Sequence, residues 1–169
     1  MHNLKQTEQI IHGKIPISRE MGISLERYDT TGLVIKAPLQ NNINHKQTAF
    51  GGSLNAVAAL SCWAFLYLML TQLEDAYPQI VIQKSNISYL QPVDSDFEAV
   101  CEWPSASKIA LFHKMYRRKK KARIELISKV FAGREPAAVF NGVFVVLEQH
   151  WTTFSAPSPQ SADKQHFVN

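Results

Sequence analysis

The feature that most constrains the fold is a predicted helix that is apolar nearly all the way round. Residues 52–71 carry no charged side chain and are helical by length and residue type. Large apolar side chains recur at every angle around this helix: Leu54, Val57, Leu60, Trp63, Phe65, Leu66, Leu68, Met69 and Leu70. A helix of this kind must be buried on most sides. The rest of the chain therefore has to wrap around it.

A membrane span is the competing interpretation of this segment. Its apolar centre, residues 56–70, reaches only about 22 Å at ~1.5 Å per residue, against roughly 30 Å of bilayer hydrocarbon. No Lys or Arg flanks its ends, and the first eight residues lack the apolar core of a signal peptide. The two cysteines, Cys62 and Cys101, have no paired Cys/His spacing that would suggest zinc. We predict a reduced, cytoplasmic protein without a metal site and without membrane insertion.

The segments around the long helix have the patterns of strands and of two further helices. A short amphipathic helix over residues 4–20 and a helix capped by Ser105 are predicted. The apolar face of the latter would be Ile109, Phe112 and Tyr116 beside Leu111 and Met115. Strands are predicted near residues 23–25, 33–35, 80–90, 97–103, 124–130 and 138–147. This order predicts a single α+β domain over residues 1–150, an antiparallel sheet wrapped around a long central helix, followed by a mobile tail over 151–169.

The segment that leads into the central helix has the composition of an oxyanion-binding site. From Asn44 to Ser53 the residues are Asn-His-Lys-Gln-Thr-Ala-Phe-Gly-Gly-Ser. Gly51 and Gly52 leave their N–H groups unshielded by a Cβ, and the first N–H groups of a helix have no intrahelical acceptor. These groups and the helix dipole stabilise a thioester oxygen more strongly once it becomes an enolate or a tetrahedral oxyanion. The segment therefore predicts an acyl-thioester site.

The same segment resembles hotdog-fold thioesterases, in which an Asn lies six residues before a His or Phe that precedes Gly-Gly. Asn44 and Phe50 have that spacing. Over roughly residues 10–148 the chain is similar to the thioesterase-type domain at the C-terminus of YiiD, a family that includes malonyl-acyl-carrier-protein decarboxylases. The segments that carry this resemblance are 15–22, 42–45, 89–93 and 121–126. Gln47 stands where such loops have glycine, and Ser88 where arginine is usual.

The resemblance implies a hotdog fold and a substrate that is a thioester of CoA or of an acyl carrier protein. The phosphopantetheine arm then enters as part of the substrate, and no separate cofactor is expected. The implied reactions are hydrolysis of the thioester and decarboxylation of a malonyl thioester.

The first turns of the central helix distinguish between these two reactions. Many hotdog thioesterases have an Asp or Glu about two turns into this helix, whereas residues 55–60 here are Asn-Ala-Val-Ala-Ala-Leu. A general base is typically worth ~10²–10⁴-fold in hydrolysis, whereas decarboxylation needs no activated water, and a carboxylate would repel the malonyl group. We predict decarboxylation of malonyl-acyl carrier protein to acetyl-acyl carrier protein, at the start of fatty-acid synthesis. The alternatives are an acyl-CoA or acyl-carrier-protein thioesterase and a non-catalytic acyl-thioester binding module.

Each polar residue of the segment has a functional and a structural interpretation. Asn44 either donates its amide to the thioester or closes an Asx-turn, and His45 is either an acid/base or a loop residue. Ser53 lies outside any Gly-x-Ser-x-Gly elbow, so a helix-start hydroxyl is favoured over a nucleophile. The predicted catalytic residues are Asn44, His45, Gly51 and Gly52. The predicted substrate contacts of this segment are Asn42, Phe50 and Ser53.

Positive charge is concentrated in residues 117–121, Arg-Arg-Lys-Lys-Lys, within a chain of net charge +4. This basic run is either a solvated helix end or a docking surface for an acidic carrier protein or the phosphates of CoA. We predict that Arg118, Lys119 and Lys121 contact the carrier. Nucleic acid is not a predicted partner, because no aromatic pattern accompanies the run. One curled sheet also leaves a long edge and a half-lined pocket, which predicts a homodimer or a dimer of dimers.

Overall fold

The computed structural model describes residues 4–71 and 79–148, and these residues form one sheet around one long helix. The elements are α1 (Leu4–Lys14), α2 (Ile17–Glu20), β1 (Ser24–Asp29), β2 (Gly32–Ala37), a 3₁₀ turn (Leu39–Asn41), α3 (Gly51–Thr71), β3 (Gln79–Tyr89), β4 (Phe97–Glu102), α4 (Ala106–Lys119), β5 (Lys121–Phe131) and β6 (Pro136–Leu147). The strands are antiparallel, in the order β1-β2-β4-β5-β6-β3. This confirms the predicted architecture. The predicted tail, residues 151–169, lies outside the described residues.

Helix α3 is the core of the protein. It packs against β2, β4, β5, β6 and β3, and 72% of its most apolar 18-residue window is buried inside the protein. A buried polar contact joins it to β5. The Ser61 hydroxyl donates to the Ala58 carbonyl oxygen (2.7 Å) and therefore accepts from the Ser128 hydroxyl (2.7 Å). The protein itself supplies the burial that this apolar helix requires.

Two ionisable groups beside α3, the buried Cys101 and the half-buried Tyr28, are uncharged at neutral pH. Cys62 and Cys101 are free and buried, and burial, reinforced by a hydrogen bond from Cys62, raises the pKa of the Cys101 thiol well above its usual value. Burial likewise raises the pKa of Tyr28 to about 12. Cys62 lies among the apolar side chains of the core, where a thiol behaves as a small apolar group.

Helix α4 lies along the first half of β5 and ends in the basic run. The Ser105 side chain accepts from the Lys108 N–H (3.4 Å), as predicted for a cap. Phe112 and Tyr116 are buried, whereas Leu111, predicted beside them, is 61% exposed. The helix packs one narrow face against β5, and position 111 falls beside that face.

Candidate active site

The loop that enters α3 is anchored to the rest of the protein by Asn42. This residue is 2% exposed, and its amide nitrogen donates to the carbonyl oxygens of Met21 (2.9 Å) and Pro38 (2.8 Å). Its backbone oxygen accepts from the Phe50 N–H (2.7 Å). Asn42 is a predicted substrate contact, but in the structure its amide nitrogen donates to these two backbone carbonyl groups. The side-chain oxygen is buried and has no hydrogen-bond partner among the described residues.

The Asn44 side chain is hydrogen-bonded within its own loop. Its side-chain oxygen accepts from the Lys46 N–H (2.7 Å), and its amide nitrogen donates to the Thr48 hydroxyl (3.0 Å) and to the Ala49 carbonyl oxygen (3.3 Å). The Asn44 N–H donates to the Thr48 carbonyl oxygen (2.8 Å). This is the Asx-turn geometry that was the alternative to a substrate contact. Asn44 therefore sets the shape of the loop that delivers the chain to Gly51.

Gln47 adopts a left-handed backbone conformation, with φ = 63°. This explains why loops of this type have glycine at the position, since a side chain in this region costs roughly 1–2 kcal/mol. The strain lies in the loop that precedes the candidate site.

We expect Gln47→Gly to raise the free energy of unfolding by about 0.5–1 kcal/mol, because relief of the strain exceeds the entropy that glycine loses on folding. The midpoint of urea denaturation measures the change. Lys46→Gly is the matched control, because Lys46 does not have a positive φ, and it should lower the midpoint. Equal losses for both variants would contradict the prediction.

The start of α3 offers free hydrogen-bond donors. Among the described residues no acceptor takes up the N–H of Gly51, Gly52 or Ser53; the first bonded amide is that of Leu54, which donates to the Phe50 carbonyl oxygen (3.1 Å). A Cβ at position 52 would clash with the Phe50 ring, so that ring would have to move. Amides of this kind, together with the positive end of the helix dipole, can donate hydrogen bonds to a carbonyl oxygen.

Beside Gly51 lies a cavity of ≈ 380 Å³, here called the Tyr89 cavity. It is lined by Thr48, Ala49, Gly51, Leu54 and residues 89–93. The Tyr89 hydroxyl donates to the Gly51 carbonyl oxygen (2.9 Å), and the Ala49 N–H donates to the Val93 carbonyl oxygen (2.7 Å). No local pattern assigns Tyr89 a role, although it begins one of the segments, 89–93, that carry the family resemblance. None of the described lining residues is Asp or Glu.

Three other predicted residues of the segment are not part of the cavity lining. His45 is exposed on the loop, and Ser53 is half-buried in the first turn of α3. Phe50 is 57% exposed, and its ring lies beside Gly52. The structure thus brings Gly51, Gly52, Phe50 and Ser53 together at the helix start.

Within one chain the basic run lies far from the Tyr89 cavity. Along β6, Ala138 is the register partner of Tyr89, whereas Leu147 is the partner of both Gln79 and Lys121. Nine residues separate these two positions, which at ~3.4 Å per residue is about 30 Å. Arg118, Lys119 and Lys121 are exposed at the far end of the sheet.

The fold and the helix start define a protein of the hotdog thioesterase superfamily. A sequence profile of the family described as "Putative thioesterase (yiiD_Cterm)" matches residues 4–148. The chain belongs to this family, which confirms the resemblance inferred from the motifs.

Solved structures of related proteins share the fold. A protein of unknown function from Chlorobaculum tepidum is 36% identical, with a TM-score of 0.79 over 86% of this chain and 94% of that chain. A protein described as a putative thioesterase from Shewanella oneidensis is 30% identical, with a TM-score of 0.76 over 85% of this chain and 96% of that one. A probable thioesterase from Pseudomonas aeruginosa, 18% identical, has a TM-score of 0.72 over 86% and 95% of the two chains and shows the fold alone.

Proposed function

We propose that the protein is an enzyme of acyl thioesters that decarboxylates malonyl-acyl carrier protein to acetyl-acyl carrier protein. The observation that carries the proposal is a helix start with free N–H groups beside a cavity whose described lining contains no carboxylate. An oxyanion is stabilised there, and no residue of the lining repels a malonyl carboxylate.

In the proposed reaction the thioester oxygen accepts hydrogen bonds from the amides at Gly51 and Gly52. The bond between the α-carbon and the carboxylate breaks, CO₂ leaves, and the electron pair of that bond becomes the enolate of the acetyl thioester. Water then protonates the α-carbon to complete the acetyl group. The enolate carries more charge on oxygen than the ground-state carbonyl, so the same amides bind the transition state more tightly than the substrate.

Thioester hydrolysis is the second candidate, because the family is described by that activity and His45 lies on the same loop. Hydrolysis needs a base for water, and His45 is the imidazole that the loop supplies. A binding module without turnover is the third possibility, and the same assay addresses it.

The deciding experiment is incubation of the purified protein with malonyl-acyl carrier protein and separation of the products. Formation of acetyl-acyl carrier protein with release of CO₂ supports decarboxylation. Free acyl carrier protein with release of malonate indicates hydrolysis. Saturable binding without either product identifies a binding module and overturns the proposal.

We further propose that the protein is a dimer through the outer edge of β3. In the described chain this edge pairs with no other strand, and Val81 and Ile82 on it are 48% and 47% exposed. A long unpaired edge strand is a template for pairing, and a two-fold axis makes such pairing antiparallel. Sedimentation as a stable monomer at micromolar concentration would argue against the dimer.

This dimer would bring the basic run of one subunit to the candidate site of the other. Antiparallel pairing centred on β3 sets Tyr89 beside the partner's Gln79. The partner's Lys121 is then three strand spacings away, about 15 Å at ~4.8 Å per strand, half of the separation within one chain. The Debye length is about 10 Å at 0.1 M salt, so the run acts on the site more strongly across the interface. Arg118, Lys119 and Lys121 are proposed as the docking surface for an acidic carrier protein.

The double variant Arg118→Glu/Lys119→Glu should raise KM for the carrier substrate about tenfold, flatten its salt dependence and leave kcat nearly unchanged. Lys121 belongs to β5 and is left unchanged to preserve the strand. Steady-state kinetics across a salt series provides the measurement. Lys5→Glu/Arg19→Glu is the control with the same change in net charge. Wild-type values of KM and kcat in the Arg118/Lys119 variant would mean that the basic run is a solvated helix end and not a docking surface.

A further inference from the structure

An exposed leucine of α4 lies beside a cavity between α4 and β5. Leu111 is 61% exposed and lines this cavity, whose volume is ≈ 370 Å³. The other apolar lining residues are Phe112, Met115 and Ile124, and the charged ones are Lys108, Arg123 and Glu125. Leu111, Met115 and the cavity are here called the Leu111 surface. Exposed apolar surface beside a concave site is typical of an interaction surface.

Basic side chains surround the apolar centre of the Leu111 surface. Helix α4 contains five Lys and Arg residues and no Asp or Glu. At ~100° per residue, Lys108, Lys114 and Arg118 all lie within about 60° of Leu111 around the helix. Arg123 is exposed on the β5 side of the cavity. The surface is therefore an apolar contact flanked by cations.

Most of this positive charge is not neutralised within the protein. Among the described residues Lys114, Arg118 and Arg123 form no ion pair. The one carboxylate of the described lining, that of Glu125, lies 3.9 Å from Lys108 Nζ. Both side chains of that pair are more than half exposed, and a pair of this kind contributes little to stability. The cations are thus available to a partner.

The charge and the shape of the Leu111 surface favour one class of partner. A second copy of the chain, related by a two-fold axis, would bring the same basic side chains towards each other, and like charges repel. Nucleic acid would leave Leu111 without an apolar contact, and the aromatic rings of Phe112 and Tyr116 are buried and cannot stack on bases. An acidic protein surface with an exposed apolar side chain complements both the cations and the cavity.

We propose that the Leu111 surface docks an acidic protein partner, one apolar side chain of which fills the cavity while carboxylates beside it pair with Lys114 and Arg118. The inference rests on the proposed function, because the acidic carrier protein of that reaction is the partner of this chemistry. Arg118 also belongs to the basic run, so the two surfaces adjoin. The apolar contact adds affinity that salt does not screen to a docking surface defined by charge.

The test is isothermal titration of the full-length protein with acyl carrier protein that lacks its phosphopantetheine arm, over a series of NaCl concentrations. Without the arm, the affinity reports on the protein surfaces and not on the thioester site. Leu111→Ala should weaken binding about tenfold at every salt concentration, because it removes an apolar contact. Lys114→Glu should instead weaken binding most at low salt and flatten its salt dependence.

Ile17→Ala is the matched control for Leu111→Ala, because Ile17 is 63% exposed but lies on α2, and it should bind the carrier as the wild type does. Thermal unfolding should show that Leu111→Ala is folded, since the side chain is at the surface. Wild-type affinity in Leu111→Ala, or a wild-type protein that does not bind the carrier at low salt, would overturn the inference.

Two further measurements address other occupants of the surface. Sedimentation in which Leu111→Ala alters only the oligomeric state would show that a second copy covers the surface. Vesicles of phosphatidylcholine and phosphatidylserine that bind the protein through Leu111, when the carrier does not bind, would show that the surface contacts a membrane. Either result would overturn the inference.

Turnover of malonyl-acyl carrier protein by the same preparations separates this inference from the proposed function. Carrier binding that depends on Leu111, without malonyl turnover, would support the docking surface and reject the proposed reaction. Malonyl turnover with an unchanged KM in Leu111→Ala would support the reaction and reject the docking surface.

Discussion

Replacing Gly51 with proline should lower kcat for decarboxylation about 10²–10³-fold while the protein remains folded. Proline is well tolerated at the first position of a helix, because the N–H that it lacks has no intrahelical acceptor there. No described residue accepts the Gly51 N–H. If that N–H binds the developing enolate oxygen, its removal costs one oxyanion donor, which is the source of the expected loss.

Gly51→Ala is the matched control, because it adds a Cβ but keeps the N–H. The added Cβ would lie 3.4 Å from the Tyr89 ring, a contact that a small adjustment of the exposed tyrosine relieves. Its kcat should therefore stay within a few-fold of the wild-type value. Thermal unfolding of both variants verifies the fold. Equal kcat values for the proline and alanine variants would show that the Gly51 N–H is not a catalytic donor.

The second large effect is expected at Asn44, where Asn44→Ala should lower kcat by about 10²-fold, because the loop that positions Gly51 loses its order. The variant removes the hydrogen bonds to Lys46, Thr48 and Ala49 that shape the loop. The protein should still fold, because the loop is at the surface and the core stays intact when the loop is disordered. Kinetics with malonyl-acyl carrier protein and a denaturation curve test both parts.

Asn44→Asp separates the two reactions. The carboxylate keeps the acceptor for the Lys46 N–H, but it repels a malonyl carboxylate and should damage decarboxylation at least as much as Asn44→Ala. Hydrolysis would be preserved or increased, since a carboxylate there could act as a base. An aspartate variant that decarboxylates at the wild-type rate would remove Asn44 from the mechanism.

Thr48→Val separates loop positioning from direct contact with the substrate. It removes the hydroxyl that accepts from the Asn44 amide (3.0 Å) but leaves Asn44 in place. If Asn44 acts only by holding the loop, this variant should lower kcat measurably, although two of the three hydrogen bonds remain. If the amide binds the substrate, kcat should stay near the wild-type value.

The long helix and the position of the glycines were predictable because both depend on residues close together in the chain. Helix α3 has nearly the bounds that its uncharged apolar run predicts, and Gly51 and Gly52 lie in its first turn. The left-handed backbone at Gln47 also agrees with the position at which similar loops have glycine. These features follow from local conformational preferences, which the order of residue types expresses directly.

The functions of individual polar side chains depended on partners that are distant in sequence. Asn42 was predicted to contact substrate, but its amide binds Met21 and Pro38, and no local pattern specifies those carbonyl groups. Tyr89 became part of the site because its hydroxyl reaches the Gly51 carbonyl oxygen, 38 residues away in the chain. The basic run lies about 30 Å from the site because strand register sets its position.

The sequence by itself thus determined the buried central helix, the sheet that must surround it, and the glycine-rich start of that helix. Only the tertiary structure decided that Asn44 is engaged within its own loop, that Tyr89 supports Gly51, and that the basic run lies at the opposite end of the sheet. The physical reason is that periodicity and glycine content act over a few residues, whereas side-chain hydrogen bonds and strand register are set by the packing of the whole chain.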